Sequence, residues 1–538
     1  MDMNGTMGKA AQGNPAMIGM WEPIRYRFKH LPVHTALLRT GKLLAIGGSG
    51  NDRKYLENPH PAELFDPNTG DITEVEQNLG SDTFCCGHAF LSDGRLLVAG
   101  GTYRFDIPRF MVAAGAVPFP PFSGAEQTYI FDPISEVWTR GPDMAAGRWY
   151  PTVIMLPDER VIAVAGLTKR FPWVVLKKTE IYTVGAGWSH FKKADRWMPL
   201  YPRLHLLPDG KVFYAGSYNT HFTFPVGLRH FKASILDPDS GFWADVGQPE
   251  SSQREEGSTI MLALIPPDYK AKVLLMGGGL PGNTEGLPDA ALIDLSAAKP
   301  AFRPIAPMNH ARYYCYSVIL PDGKVLVLGG RTGRKGHQMT KGGAMPGMTG
   351  DHDKDAPPDP NAVHEAELFD PANEMWTPMA SMTVDRLYHS GAVLLPDGRV
   401  VATGNNPMPG FEERRIEIYD PPYLFKGDRP TLTQVPEAVT YGESFEIGTP
   451  DASDIDTVAL IHPISTTHCY STDQRYVRLV IASRGSGTLV AQVPNNKNVL
   501  PPGHYMLFIL RGGIPAKARF IHICAEEGTC CARGRKRD

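Results

Sequence analysis

Residues 316–330 read YSVILPDGKVLVLGG, and this stretch decides the fold. It contains an apolar segment, a Pro-Asp-Gly turn and a second apolar segment that ends in two glycines, which is the pattern of a β-hairpin. Residues 366–376, AELFDPANEMW, continue with a strand that runs into Asp-Pro and then a tryptophan. Together the two stretches predict one four-stranded unit.

The same unit recurs along the chain. Its hairpin ends in a glycine pair at residues 43–48, 96–101 and 273–278 as well, and weaker copies read VIAVAG, VFYAG and VVATG. Seven units of about 50 to 75 residues match the kelch period. The sequence therefore predicts an all-β fold whose main part is a seven-bladed kelch-type β-propeller.

The two ends of the predicted propeller are complementary. The last unit ends at residues 417–425, EIYDPPYLF, and lacks its tryptophan strand, whereas residues 17–24, MIGMWEPI, resemble the tryptophan strand EMWTPMAS of residues 374–381. We predict that the N-terminal segment supplies the outer strand of the last blade. The propeller is then expected to span residues 17–430, after a disordered lead-in over residues 1–16.

The pattern changes after residue 430. Alternating apolar and polar residues without glycine pairs predict a small immunoglobulin-like β-sandwich over residues 431–538. Within the propeller, residues 331–363 form a long insertion rich in Gly, Met, Asp and His. We interpret it as a flexible rim loop and not as a metal site of His337 and His352.

Composition excludes several classes of protein. A net charge of −3, with no basic block before the terminal RGRKRD, argues against a nucleic-acid partner. No apolar run approaches the roughly 18 residues of a membrane span. Seven cysteines do not form a disulfide framework, and Cys524, Cys530 and Cys531 either pair locally or stay free. We expect a monomer.

One position of the repeat carries side chains that can bind a metal ion or take part in redox chemistry. It lies six residues before the leucine that opens each turn, and its occupants, here called the slot residues, are Cys85, Tyr150, Tyr201, Tyr314 and His389. Equivalent positions of a propeller project to equivalent places around its axis, so these side chains should converge at one mouth. A thiol, phenols and an imidazole together predict a metal site with redox chemistry.

Four local sequences make this prediction specific: TFCCGHAFLSDG, GRWYPTVIMLPD, DRLYHSGAVLLPDG and ISTTHCYSTDQR. Together they resemble the copper radical oxidases, the galactose oxidase and glyoxal oxidase family. The resemblance covers nearly the full chain, without the additional N-terminal carbohydrate-binding domain of galactose oxidase.

The resemblance implies a protein-derived cofactor and one copper ion. Cys85 and Tyr150 would be joined by a thioether to form the radical cofactor, and the Tyr150 oxygen would also bind copper. Tyr388 would be the axial tyrosine and the general base. His389 and His468 would be imidazole ligands, the second of them supplied by the C-terminal domain.

Other residues near these motifs have different implied roles. Arg203 resembles the substrate-contacting arginine of the family, and Phe84 is expected to line the pocket. The tryptophan that stacks on the thioether in galactose oxidase is replaced at the matching position by Thr168, with Trp149 and Trp173 as alternatives. Packing alone is the default interpretation of Tyr201, Tyr314 and Cys86, and His88 and Cys469 match no ligand position.

The chemistry of these residue types supports an oxidase. Imidazole and phenolate ligands suit Cu(II) and suit calcium or magnesium poorly. Oxidation of a primary alcohol removes two electrons, of which copper takes one and a tyrosyl radical the other. The expected reaction converts a primary alcohol or aldehyde, free or on a glycan, with O2 into an aldehyde or carboxylic acid and hydrogen peroxide. No signal peptide is visible in the sequence, although the resemblance to this family favours an extracellular or cell-surface location.

Two other classes of function compete with this hypothesis. A non-catalytic kelch propeller would bind a protein or glycan and would need no thiol, phenol and imidazole at one repeated position. A mononuclear copper-handling protein would keep the copper without the thioether. Mass spectrometry separates the two copper hypotheses, because thioether formation removes two hydrogens.

Overall fold

The structure is a computed structural model, and it describes residues 13–50, 62–75, 79–104, 123–169, 174–218, 232–246, 254–280, 285–333, 358–406, 412–471 and 473–525. Nearly all elements among these residues are strands. The helical elements are the α-helix Pro15–Ile18 and the 3-10 helices Lys192–Ala194 and Pro422–Phe425. None of the described helices is long and apolar enough to span a bilayer. His337, His352, Cys530 and Cys531 lie outside the described residues.

Seven antiparallel sheets, here called blades one to seven, follow one another along the chain. The strands of blades one to three are, in order, His34–Leu37, Leu43–Ile46, Ala62–Phe65, Ile72–Glu74; Gly87–Phe90, Leu96–Ala99, Thr128–Asp132, Val137–Arg140; Thr152–Met155, Val161–Val164, Glu180–Thr183, Gly187–His190. Those of blades four to six are Leu204–Leu206, Val212–Tyr214, Ser234–Leu236, Trp243–Asp245; Ser258–Met261, Lys272–Met276, Ala290–Asp294, Phe302–Ile305; Tyr316–Ile319, Val325–Leu328, Glu365–Asp370, Met375–Ser381.

Blade seven combines strands from both ends of the propeller. Its strands are Ser390–Leu394, Val400–Gly404, Arg415–Asp420, and then Met20–Trp21 and Tyr26–Arg27 from the start of the chain. Trp21 pairs with Tyr419, and its indole N–H donates to the carbonyl of Ala380 at 2.9 Å. Residues 359 positions apart in the chain therefore contact each other where the ring closes.

The core lies between neighbouring blades. First strands of successive blades contact each other around the axis, and the second strands are almost entirely buried. The glycine pairs that end the second strands allow this close approach. A Cβ on Gly330 would lie 2.4 Å from the carbonyl oxygen of Tyr313, so a larger residue would collide with the backbone there.

Three buried ion pairs brace the blades. They are Arg148–Glu180, Arg312–Glu367 and Arg386–Glu417. In each pair the arginine precedes the first strand of its blade, and the glutamate lies on the third strand of the same blade. A second guanidinium nitrogen of each arginine donates to the carbonyl of a residue at the end of the second strand or just after it. Because these charges are fully desolvated, each depends on its partner.

The C-terminal part forms a separate β-sandwich. Its strands are Ala438–Val439, Ser444–Gly448, Thr457–Ile461, Tyr476–Arg484, Thr488–Gln492, Gly503–Arg511, Ile514–Pro515 and Arg519–Ile523. The predicted fold class, a seven-bladed propeller followed by an immunoglobulin-like sandwich, is confirmed. Two small two-stranded sheets lie outside the blades, and they contain Thr102–Arg104 with Ser123–Gly124 and Ser217–Tyr218 with Arg254–Glu255.

Candidate metal centre

The slot residues share an unusual backbone conformation. Each lies just before the first strand of its blade and has a positive φ, with values of 63°, 63°, 44°, 63° and 59° for Cys85, Tyr150, Tyr201, Tyr314 and His389. Residues other than glycine rarely adopt this region, and such strain concentrates at functional sites. The repeated bend turns each slot residue in the same direction.

Backbone hydrogen bonds link slot residues of neighbouring blades. The N–H of Tyr150 donates to the carbonyl of Cys85 at 3.0 Å, and the N–H of Tyr201 donates to the carbonyl of Tyr150 at 3.1 Å. The N–H of Tyr314 donates in the same way to Glu256 at 3.1 Å. Glu256, with φ 56° and 2 % exposure, is therefore the occupant of the slot in blade five, which the turn pattern of the sequence missed.

Five predicted site residues meet in one cluster. The ligand atoms of Cys85, His389 and His468 all lie within 4.8 Å of one another. His468 Nε2 is 3.2 Å from Tyr150 Oη and 3.7 Å from Cys85 Sγ. The hydroxyls of Tyr150 and Tyr388 are hydrogen-bonded to each other.

His468 reaches the axis in the tight turn of a β-hairpin, directly after the strand Ser465–Thr467 and before Tyr470–Ser471. Ser465–Thr467 pairs antiparallel with His34–Leu37 and so extends the inner edge of blade one. Thr467 Oγ1 donates to the carbonyl of Val33 at 3.2 Å, which leaves this oxygen to accept the Nδ1–H of His468. The imidazole then presents its unprotonated Nε2 to Tyr150 and Cys85, as a metal ligand requires.

The three residues at the end of the ISTTHCYSTDQR motif anchor this segment to three blades. Asp473 accepts the N–H of Phe90 in blade two at 3.2 Å. Gln474 accepts the N–H of Ile319 in blade six at 2.6 Å. Arg475 donates to the carbonyl of Leu206 next to blade four's turn at 2.9 Å. The C-terminal domain is thus tied to the propeller axis by side chains that contact first strands.

Blade seven contributes two cluster residues because the segment before its first strand is one residue longer than in the other blades with a buried arginine before the slot residue. In blade six the slot residue Tyr314 comes two positions after the buried Arg312, whereas in blade seven the slot residue His389 comes three positions after Arg386. The extra residue is Tyr388. One blade therefore presents a phenol and an imidazole side by side, with ring centroids 4.0 Å apart.

Aromatic rings enclose Tyr150 on both faces. Trp149 stacks on it with centroids 3.8 Å apart and planes 8° apart, and Tyr201 stacks at 4.5 Å and 22°. Two rings cannot occupy the same face at these separations, so they cover opposite faces. Of the residues considered for the stacking position, Trp149 is the one that contacts Tyr150, Thr168 is only partly buried, and Trp173 lies outside the described residues.

The buried Phe84 packs its ring against His389, with centroids 5.0 Å apart. Arg203, the predicted substrate contact, binds main-chain carbonyls around the cluster. It is 1 % exposed, and its guanidinium donates to the carbonyls of His468 at 2.8 Å and Tyr201 at 3.1 Å. Arg203 therefore holds the backbone that carries His468, and its contact with a substrate stays a prediction.

Burial keeps the cluster neutral. It raises the pKa of the Cys85 thiol and of the Tyr150 and Tyr388 phenols, with Glu256 further raising that of Tyr388. Burial and the neighbouring His389 lower the pKa of His468. The neutral imidazole of His468 and the protonated phenols lie next to one another and can bind a cation, which would displace the phenol protons.

Comparisons with known proteins identify a matching family model and several similar chains. Residues 429–523 match the family model described as galactose oxidase-like, early set domain. The chain is 26 % identical to aldehyde oxidase GLOX of Vitis pseudoreticulata, covering 94 % of this chain and 97 % of the relative. It is 25 % identical to galactose oxidase of Gibberella zeae, in an alignment that covers 85 % of this chain and 63 % of the relative. The chain is a relative of galactose oxidase and the aldehyde oxidases.

This relative of galactose oxidase also shares its fold with a solved structure. A fungal alcohol oxidase of the AA5 family, described as a complex with copper, superposes with a TM-score of 0.75 at 24 % identity, over 94 % of this chain and 99 % of that chain. The two relatives and the family model confirm the predicted resemblance to the galactose oxidase and glyoxal oxidase family, and the solved structure confirms the fold.

Proposed function

We propose that the protein is a copper radical oxidase that oxidises a primary alcohol or an aldehyde with dioxygen and releases hydrogen peroxide. The observation that carries the proposal is the buried cluster of Cys85, Tyr150, Tyr388, His389 and His468. Imidazole nitrogens and phenol oxygens are the donors that suit Cu(II). The names of the relatives, aldehyde oxidase, galactose oxidase and alcohol oxidase, support this class of substrate.

Four side chains would hold the copper ion. They are Tyr150 and Tyr388 through oxygen, and His389 and His468 through nitrogen. When bound, copper supplies a one-electron redox partner for the tyrosyl radical and the route by which electrons reach dioxygen. The Nδ1–H of His468 bound to Thr467 fixes the tautomer that binds metal through Nε2.

Cys85 and Tyr150 would form the second redox partner. Joining Cys85 Sγ to a ring carbon of Tyr150 breaks one S–H and one C–H bond and removes two electrons and two protons, with dioxygen as the acceptor. A sulfur substituent makes the phenol easier to oxidise. Stacking by Trp149 and Tyr201 spreads over both ring faces and excludes water from the radical.

Tyr388 would accept the proton of the substrate hydroxyl. It is only partly buried, whereas Tyr150, His389 and His468 are buried, so substrate approaches the cluster from the side of Tyr388. Burial and the nearby Glu256 raise its pKa, which makes its deprotonated form a strong base. One alcohol and one O2 then give one aldehyde and one hydrogen peroxide, with two electrons and two protons transferred.

Peptide mass spectrometry tests the proposal. Copper-loaded protein kept in air should yield a cross-linked peptide pair containing Cys85 and Tyr150 that is lighter by two hydrogens, and copper-free protein should not. A screen of primary alcohols and aldehydes for peroxide release would then identify the substrate.

The Cys315→Ala variant is the matched control, because it removes another buried free thiol, next to the slot residue of blade six, and should leave the cross-link intact. Unmodified Cys85 and Tyr150 in copper-replete protein would contradict the radical mechanism. Stoichiometric copper binding without the cross-link would favour a copper-handling protein.

A further inference from the structure

A second thiol and imidazole pair lies beside the candidate metal centre. Cys86 Sγ is 3.7 Å from His34 Nε2, and the two residues are 0 % and 1 % exposed. Cys86 precedes the first strand of blade two, and His34 begins the first strand of blade one. Neither side chain has a part in the oxidation proposed above.

A third buried imidazole, that of His88, lies next to this pair. The ring of His88 meets that of His34 edge to face with centroids 5.2 Å apart. Neither ring nitrogen of His88 has a hydrogen-bond partner among the residues that the structure describes. Buried polar atoms are almost always satisfied, so we expect water or another ligand to contact His88 at this place.

The distance and charge of the pair select the kind of ligand. Bonds of about 2.3 Å to sulfur and about 2.0 Å to nitrogen, typical of a d¹⁰ ion, span the Cys86–His34 separation with a bent angle. His34 Nε2 faces Cys86 Sγ, so its lone pair can reach a soft metal bound by this sulfur. One thiolate and one monovalent cation make a neutral unit, whereas a divalent ion would leave a buried positive charge.

We propose that Cys86 and His34 form a second metal site that binds monovalent copper, with His88 beside it as an additional imidazole. Thiolate sulfur selects Cu(I) over harder cations. Binding replaces the S–H bond of Cys86 by an S–Cu bond and releases the proton to the buffer, without oxidation or reduction.

The site lies next to the predicted destination of copper. Cys86 follows Cys85 directly in the chain, and the rings of His34 and His468 are 6.0 Å apart. A Cu(I) ion held by Cys86 can therefore exchange onto His468 by replacing one imidazole with another. This inference goes beyond the oxidase proposal and does not depend on formation of the thioether.

Anaerobic titration of the Cys85→Gly variant with Cu(I), held against a chromophoric Cu(I) chelator, tests the proposal. This variant lacks the thiol of the candidate metal centre, so Cys86 becomes the neighbouring sulfur donor. We expect tight Cu(I) binding with a sulfur neighbour in X-ray absorption. Adding Cys86→Ala should remove that sulfur neighbour and weaken this binding by about 100-fold or more.

Two further results decide the matter. Adding His34→Gln to Cys85→Gly should weaken Cu(I) binding while copper keeps its sulfur neighbour. This variant serves as the test if the double cysteine variant does not fold. Copper bound only by nitrogen and oxygen in Cys85→Gly, or unchanged sulfur ligation after Cys86→Ala, would overturn the second site. Neither result bears on the cross-link of wild-type protein, which tests the oxidase proposal separately.

Discussion

The indole of Trp149 lies flat on the phenol ring of Tyr150, with centroids 3.8 Å apart and planes 8° apart. The two residues are adjacent in the chain, and the positive φ of Tyr150 bends the backbone so that their rings stack. The ring that covers Tyr150 is therefore supplied by the same turn that positions it.

Trp149→Leu should shorten the lifetime of the oxidised protein while thioether formation continues. Stacked aromatic pairs contribute about 0.5–1.5 kcal/mol, so we expect the radical to become about 2- to 13-fold less populated at a fixed potential. Redox titration monitored by visible absorption and electron paramagnetic resonance measures this change. Trp138→Leu, which removes a buried tryptophan of blade two, is the control and should leave the radical unchanged.

Much of this architecture was predictable from the sequence because it depends on local repetition. The glycine pairs and Asp-Gly turns predicted the blades. Cys85, Tyr150 and His389 were identified because each lies six residues before the leucine that opens a turn. The same count from Leu262 gives Glu256, but the turn IPPDYK at residues 265–270 does not follow the LPDG pattern and hid it.

Contacts between distant segments were harder to predict. Whether Arg203 faces solvent depends on the carbonyl of His468, 265 positions away in the chain, and no local pattern records this contact. The stacking of Trp149 likewise depends on a backbone angle. The sequence also contains a pattern that was not used. Three buried arginines, Arg148, Arg312 and Arg386, each precede a site tyrosine or a slot residue by two positions, and this spacing marks those positions.

Cys85→Gly should preserve folding and copper binding and abolish the radical absorption. Cys85 has a φ of 63°, a conformation that glycine adopts without strain, so loss of the buried sulfur is partly offset. We expect a melting temperature close to wild type. Thermal unfolding, copper analysis and visible spectroscopy together check this outcome, and oxidase activity at the wild-type level in this variant would contradict the role of the thioether.

Thr467→Val should weaken copper binding without changing the ligands themselves. The valine cannot accept the Nδ1–H of His468, so the imidazole loses the contact that fixes its tautomer. Loss of such a contact typically costs 10- to 100-fold in metal affinity, and a competition titration would measure about that change. Thr466→Val is the control, because Thr466 Oγ1 donates to the carbonyl of Tyr470 and not to a ligand. Equal copper affinity in both variants would contradict this role of Thr467.

Asp473 should make stability depend on pH. Burial raises its pKa to about 7, although the N–H of Phe90 and the hydroxyl of Ser465 lower it. The folded state therefore binds a proton that the unfolded state releases near pH 4, and the free energy of unfolding contributed by this group falls as the pH rises from about 4 to about 7. Denaturant unfolding at several pH values should show this decline in wild type and a flatter profile in Asp473→Asn. The exposed Asp454→Asn should behave as wild type.

Arg386→Met should destabilise the propeller strongly. Arg386 and Glu417 are almost fully buried and paired at 3.1 Å, and the guanidinium also donates to the carbonyls of Gly404 and Arg415. Removing one partner leaves an uncompensated buried carboxylate, which costs about 3–5 kcal/mol. Urea unfolding measures the loss. The exposed pair Arg303–Glu374 is the matched control, and Arg303→Met should cost less than about 1 kcal/mol, because water already solvates both charges. Equal losses in the two variants would show that burial does not set the importance of these pairs.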